Sequence, residues 1–324
     1  MRPALAVVGI TLAIYVMTAD APFVYEDRNW VNVVGPEHDF AWEPFSHGSQ
    51  WPNRWLTHWT YQFQAVDGTA EPRRYHLVNV LLHLLCGGLV GLLAWRQNIP
   101  KLGAWIAAAV FLWHPLNTQA VAYVSARSDL LMTLCTVIAV IAVLMMRWWA
   151  LPFVLAGCVF AGTSKELGAL SVLMVLLARW PRVVLQLVPL ALLIALNVAW
   201  AEYGVRWPQF ETWWELASAN AVGLWRVIGL VLVPVGLSID PDPWSTPMVL
   251  RMVALWAIPF AAVWIYRTRT PLEQWAALSV AVALLPRVVM PTLEPIHDQH
   301  AYLAMVPISL VIGEKAGTLC AQWL

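Results

Sequence analysis

With 60% hydrophobic and only 12% charged side chains over 324 residues, the chain carries about half the charge of a soluble globular domain. Its formal net charge of zero gives no basic surface for nucleic acid, and no nucleic-acid partner is expected. The 21 tryptophans fit a membrane protein, because the indole ring favours the half-wet membrane–water interface.

Crossing the hydrocarbon core takes about 20 apolar residues. Taken in chain order, the apolar runs are 4–19, 76–95, 102–114, 129–147, 151–163, 167–180, 182–201, 219–237, 248–266, 272–289 and 301–319. Runs 102–114, 151–163 and 167–180 are short, and they end at polar residues that read as cavity-lining rather than lipid-facing. The first run, with Arg2 and Ala19-Asp20-Ala21, also resembles a cleaved signal peptide. A retained helix is preferred, because the rest of the chain is already a multispanning bundle. The expected fold class is an all-α polytopic helix bundle of about 10–11 helices, with 1–324 as a single transmembrane domain.

A cytoplasmic N-terminus places Arg96, Lys101, Arg147, Arg179, Arg182, Arg267 and Arg269 in cytoplasmic turns, as the positive-inside rule asks. This holds only if 219–237 does not cross, so that run is read as a re-entrant or interface-lying element in an outer loop, 202–247. Both termini are then cytoplasmic. The acids other than Glu273 and Glu314 fall on the outer side, most of all in the long first outer loop, 20–74. Cys86, Cys135, Cys158 and Cys320 lie in apolar runs without metal spacing, so neither a disulfide framework nor zinc is expected.

The first loop opens with two adjacent carboxylates, Glu26 and Asp27. Clustered carboxylates raise one another's proton affinity and supply a general base or a metal ligand. The stretch from Trp51 to Phe63, which contains Arg54, is aromatic and wet, and it reads as a helix lying in the interface. His76, Asn79 and His83 follow at spacings of three and four, on one helical face. They line a cavity or bridge helices, and Gly87 and Gly91 support close helix packing. His114-Pro115 ends the next run, after which Gln119, Tyr123 and Arg127 recur every four residues as one polar face leading to Asp129. Lys165-Glu166 interrupts a long apolar stretch, a place where charge is costly unless it faces protein or water. Arg287, His300 and Tyr302 stand at the last helix entrance, and Asp240 follows the re-entrant run.

One chemistry uses this assortment. Arg127, Lys165, Arg287 and His300 are suited to a phosphate at the membrane surface. Asp27 or Glu26 would take a proton from an acceptor hydroxyl, and the interface helix would admit a lipid tail. Together these describe glycosyl transfer from a lipid-phosphate-linked sugar.

The same residues resemble the GT-C superfamily of membrane glycosyltransferases, and within it the membrane half of the TMTC O-mannosyltransferases and their bacterial relatives. That family's aromatic-Asp-Asp pattern is matched by Tyr25-Glu26-Asp27, and its Arg-Pro-Leu-Thr segment by Arg54-Trp55-Leu56-Thr57. Its Phe-His-Leu-Val-Asn-Val-Leu-Leu-His run is matched by the residues from Tyr75 to His83. The His-Pro…Glu-Ala-Val…Arg-Ala-Asp signature is similar to His114-Pro115…Gln119-Ala120-Val121…Arg127-Ser128-Asp129. The Lys-Glu pair corresponds to Lys165-Glu166, and the Leu-Ser-x-Asp element to Leu237-Ser238 and Asp240. The last motif resembles Gln299-His300-Ala301-Tyr302-Leu303. Gln119 stands where the family has Glu, and His300 where it has Arg. No tetratricopeptide repeat of about 34 residues is visible.

The resemblance implies a polyprenyl- or dolichyl-phosphate-linked sugar donor, mannose favoured. It also implies inverting transfer on the outer face to a glycan, lipid or protein hydroxyl, with Asp27 as first choice of base and Glu26 as second. Glu166 and Tyr302 join the donor-binding set; Arg54, His76, Asn79, His114, Asp129 and Asp240 form the cavity. No cofactor is expected, a divalent metal at Glu26 and Asp27 being the alternative. The expected setting is a bacterial inner membrane with the site facing the periplasm. A transporter or lipid-linked-sugar flippase is the competing reading, but it predicts internal repeats and midplane charges, whereas the charges here sit at outer helix ends.

Overall fold

The computed structural model describes residues 2–24, 27, 54–64, 71–145, 147–179, 213–238, 240–289 and 296–323. Run 182–201 and Glu26 lie outside the described residues. The described residues are all helix, turn and loop. The principal helices are α1 (Arg2–Tyr15), α2 (Trp55–Gln62), α3 (Pro72–Arg96), α4 (Lys101–Trp113), α5 (Thr118–Ala122), α6 (Arg127–Leu144), α7 (Leu151–Ser164), α8 (Ser171–Arg179), α9 (Trp213–Leu232), α10 (Met248–Thr268), α11 (Pro271–Val289) and α12 (Tyr302–Trp323). Six segments among the described residues are long and apolar enough to cross a membrane, and four shorter apolar helices accompany them. The chain is an all-α polytopic integral membrane protein.

The bundle core forms where α6 packs on α7 and α3, where α12 packs on α4 and α11, and where α3 packs on α4. Small residues set the closest approaches. A side chain at Gly103 of α4 would place its Cβ 2.5 Å from the Gly313 carbonyl of α12, so the two backbones touch as small-residue membrane packing allows. Gly87 of α3 leaves room for Leu112, and Gly91 faces Ala104 and Ala108. Gly168 sits against the Ala161 carbonyl, where no larger residue fits the turn between α7 and α8.

Connections on one side of the bundle end in tight turns, such as Gln274 Nε2 donating to the carbonyls of Tyr266 and Arg269. Glu273 pairs with Lys315 on that side. The opposite end gathers the heads of α3, α6 and α12 and the tails of α4, α7 and α11. It also carries the irregular polar segments.

Two expected features take a different form. Gln119, Tyr123 and Arg127 do not share one helical face. The chain runs through a 3-10 turn at Pro115–Asn117, the short α5, and a second 3-10 turn at Val124–Ala126 before α6 begins. Tyr123 is extended at φ −91° and ψ 117°, which breaks the four-residue period. Lys165 and Glu166 do not pair with each other either. Lys165 is extended at φ −155° and ψ 143°, so the two side chains diverge to different partners.

Most of run 219–237 lies in α9, which is among the six segments long and apolar enough to cross a membrane, and it meets the polar end at several points. The Ser218 hydroxyl meets Met248 Sδ at the head of α10. Gly223 abuts Ile296, Arg226 pairs with Asp298, and the Val231 carbonyl accepts from His114 Nε2 at 3.1 Å. Trp225 reaches further down α10, to the Ala254 carbonyl at 2.8 Å.

Candidate functional site

Asp27 follows the tail of α1 and is fully buried. Its Oδ1 accepts from the Ser125 backbone N–H at 2.7 Å and its Oδ2 from Val24 N–H at 3.2 Å. Burial pushes its carboxyl above the ordinary value of 3.8, against the lowering effect of these hydrogen bonds. The first loop is thereby clipped to the turn that opens α6.

Arg127, at the first position of α6, is also fully buried. Its Nε donates to Asn79 Oδ1 at 2.8 Å, its Nη2 to the Tyr75 carbonyl at 2.9 Å, and its Nη1 to the Thr60 carbonyl and to Gln64. The guanidinium lies over the Tyr61 ring at 4.4 Å and the Tyr75 ring at 5.4 Å, a cation–π arrangement. A phosphate would have to displace protein acceptors here. Arg127 pins α2 and α3 to α6.

The charged pairs lie beside this pin. Lys165 Nζ meets both oxygens of Asp129, at 2.7 and 2.6 Å, with the two side chains 6% and 3% exposed. Arg54 forks onto Glu166, with Nε at 2.8 Å from Oε1 and Nη2 at 2.7 Å from Oε2. That pair is the more open, at 13% and 27% side-chain exposure. The Thr57 hydroxyl donates to the Ser164 carbonyl at 2.9 Å, tying α2 to the tail of α7. His300 is buried, and the charges of Arg287, Lys165 and Arg54 bear on it. Its Nδ1 accepts from His297 N–H at 3.0 Å, and the two imidazoles stack at 5.4 Å.

Arg54, Asp129, Lys165, Glu166, Arg287 and His300 therefore come together, from separate segments, at one end of the bundle, and Asp27 lies at that end beside Tyr61 and Arg127. Four other candidates are held in the scaffold. His76 Nε2 donates to the Ala21 carbonyl at 3.1 Å. Asn79 Nδ2 donates to the carbonyls of Val121 and Tyr123. His114 joins α9, as above, with its Nδ1 accepting from Leu116 N–H. The Tyr302 hydroxyl donates to His83 Nδ1 at 2.7 Å, while His83 Nε2 donates to the Leu112 carbonyl at 3.0 Å. His83 is thus a helix-bridging group. Asp240 is 87% exposed, 3.9 Å from His297.

Sequence reasoning missed Tyr61, Thr60 and Gln64 as the seat of Arg127, because nothing local links α2 to α6. It also missed Arg226, whose guanidinium pairs with Asp298 and donates to the Gly236 carbonyl. A single arginine inside an apolar run was a signal available for that position. No group of three or more metal-ligating side chains occurs among the described residues.

Fold and site together define a polytopic membrane protein with a buried, charged centre at one end of its bundle. Comparison with known proteins narrows the class. The chain is 34% identical over 147 residues to Protein O-mannosyl-transferase Tmtc1 of Drosophila melanogaster, covering 40% of this chain and 17% of the relative. It is 33% identical over 160 residues to Tmtc2 of the same fly, and 31% identical over 135 residues to human TMTC2. The matched part spans only about a sixth of those relatives' own length, 16–17%. Over that part the chain is TMTC-like, as its motifs indicated. No protein-family model and no solved structure matches it.

Proposed function

We propose that this chain is a membrane glycosyltransferase that moves a mannosyl group from a polyprenyl- or dolichyl-phosphate carrier to an acceptor hydroxyl. The observation that carries this reading is the meeting of the Arg54–Glu166 and Lys165–Asp129 pairs with Arg287 and His300 at one bundle end, where Asp27 is held on the Ser125 turn beside Arg127. The chain's likeness to O-mannosyltransferases supports it. In this reading Asp27 accepts the proton of the acceptor hydroxyl, whose oxygen attacks the anomeric carbon. The bond from that carbon to the phosphate oxygen breaks with inversion, and the carrier phosphate leaves. Lys165, Arg287 and His300 stabilise the charge that collects on it. Arg54 holds Glu166 beside the sugar.

Burial favours a base of raised proton affinity, but it also seals Asp27 in the resting protein. The acceptor therefore has to part the packing of the first loop against Ser125. The polar end faces the outer compartment, both termini lie on the cytoplasmic side, and α9 lies across the mouth. No cofactor takes part, and the sugar is activated by its phosphate.

The test is donor turnover in proteoliposomes containing polyprenyl-phosphate-linked mannose or, separately, glucose, with a panel of hydroxyl acceptors. Wild-type protein should release polyprenyl phosphate from the mannose donor, and Asp27→Asn should lower release by about 10²–10⁴-fold. Equal release by both proteins would remove Asp27 from the mechanism. Absence of turnover with every donor and acceptor, by folded protein, would overturn the reading.

A further inference from the structure

A cavity beside the charged centre takes no part in the bond-breaking step. It lies between α9 and the loop that leads to α10, with a volume of about 310 Å³, which is at the small end of ligand pockets and ample for one sugar ring. The loop that walls it is held in place without a ligand. The chain reverses at Gly236, whose φ of +78° suits glycine. Arg226 pairs with Asp298 and donates from Nη2 to the Gly236 carbonyl at 2.8 Å. The second Asp298 oxygen accepts from Ser238 N–H at 2.9 Å. Further on, Asp242 Oδ1 accepts from Trp244 N–H at 2.9 Å, and Pro243 is buried. A cavity walled in this way needs little reordering to bind.

The lining mixes the groups that a neutral sugar uses. Arg226 donates, Asp240 and Asp242 accept, and Ser238 and Thr246 carry hydroxyls that do both. Pro241 and Pro243 add apolar wall for the C–H face of a ring. The Asp240 side chain is 87% exposed, so its carboxylate keeps most of its accepting capacity for a ligand. An anion would meet two carboxylates. A cation would meet the Arg226 guanidinium and too few ligands, since no group of three metal-ligating side chains occurs among the described residues. The way from the cavity to the charged centre is short. Asp240 lies 3.9 Å from His297, His297 stacks on His300 with 5.4 Å between ring centroids, and the charges of Arg287 and Lys165 bear on His300. We propose that this cavity holds a neutral sugar unit and that, on the transferase reading on which this rests, the unit belongs to the acceptor. The acceptor is then a glycan rather than a polypeptide, with hydroxyls of one ring bridging Asp240, Asp242 and Arg226.

Ligand-observed NMR of the full chain in detergent, without donor, tests the cavity with methyl mannoside, methyl glucoside and the corresponding disaccharides. At least one of these should receive saturation transfer from the wild type. Asp240→Asn should weaken its binding about tenfold, the loss expected when a hydroxyl loses a charged acceptor. Thr246→Trp, which fills the cavity and keeps both carboxylates, should weaken it at least as much. Thermal melting identifies which variants are folded. Binding of no saccharide by folded wild type, or equal binding by wild type and both variants, would overturn the proposal. Displacement of the saccharide by an equimolar peptide rich in serine and threonine would also overturn it, by assigning the cavity to a polypeptide. This readout needs no turnover. A protein that binds the saccharide and never releases carrier phosphate would therefore sink the transferase reading and leave the sugar site standing. Where release does occur, the KM for the saccharide acceptor should rise about tenfold in Asp240→Asn, and an unchanged KM would remove the acceptor role.

Discussion

Removing one partner of the Lys165–Asp129 pair is the sharpest probe of the buried centre. Both side chains are nearly sealed, at 6% and 3% exposure, and Nζ sits within 2.7 Å of each carboxylate oxygen. Breaking such a pair leaves one uncompensated buried charge, which costs about 3–5 kcal/mol. With the usual size dependence of melting, this is a fall in Tm on the order of 10 °C for Lys165→Met or Asp129→Leu alone. The double variant Lys165→Met/Asp129→Leu removes both charges and keeps apolar volume, so its Tm should return close to the wild-type value. Tryptophan fluorescence during a thermal ramp in detergent reads all four proteins. If Lys165 also holds the carrier phosphate, the double variant should melt normally and still fail to turn over donor. Single variants that melt within about 2 °C of wild type would refute the argument, because the pair would then be solvated rather than buried.

Three further outcomes follow from the geometry. Because burial holds the Asp27 pKa above 3.8, donor turnover should fall as pH drops through that raised value, as the base becomes protonated. Stability should move the other way, because the folded state binds this proton more tightly than the unfolded state. The gain appears as pH falls through the raised folded value and is complete below the unfolded one, and Asp27→Asn should abolish it in pH-dependent melting curves. Arg127→Lys should destabilise the protein by about 2–4 kcal/mol, read as a lower Tm in the same thermal ramp. An ammonium does not span Asn79, Tyr75, Thr60 and Gln64 while stacking on two rings. Gly313→Val should lower Tm by several degrees, since even a Cβ there meets the Gly103 carbonyl. Gly88→Ala, with nothing within 4 Å, should be neutral or stabilising in the same melting assay.

The helical, membrane-spanning character of this chain was written locally. Apolar runs such as 76–95 and 248–266 became α3 and α10 because a bilayer accepts only segments that satisfy their own backbone. Gly87 and Gly91 marked the face that meets α4. The order of the motifs marked the TMTC-like stretch and named most of the charged residues that meet at one end. Pairing was not legible. Lys165 and Glu166 are neighbours in the chain, yet one extended residue sends them to Asp129 and Arg54. Arg127 has the charge of a phosphate ligand, and only the arrival of Tyr61, Tyr75 and Asn79 from two other helices makes it a structural pin. His83 and Tyr302 are 219 positions apart, and no local pattern joins them. Residue type and spacing decided which groups are polar and which segments enter the membrane. The tertiary structure decided which of those groups neutralise one another, because charges in a low-dielectric bundle take their partners from whichever helix is nearest in space.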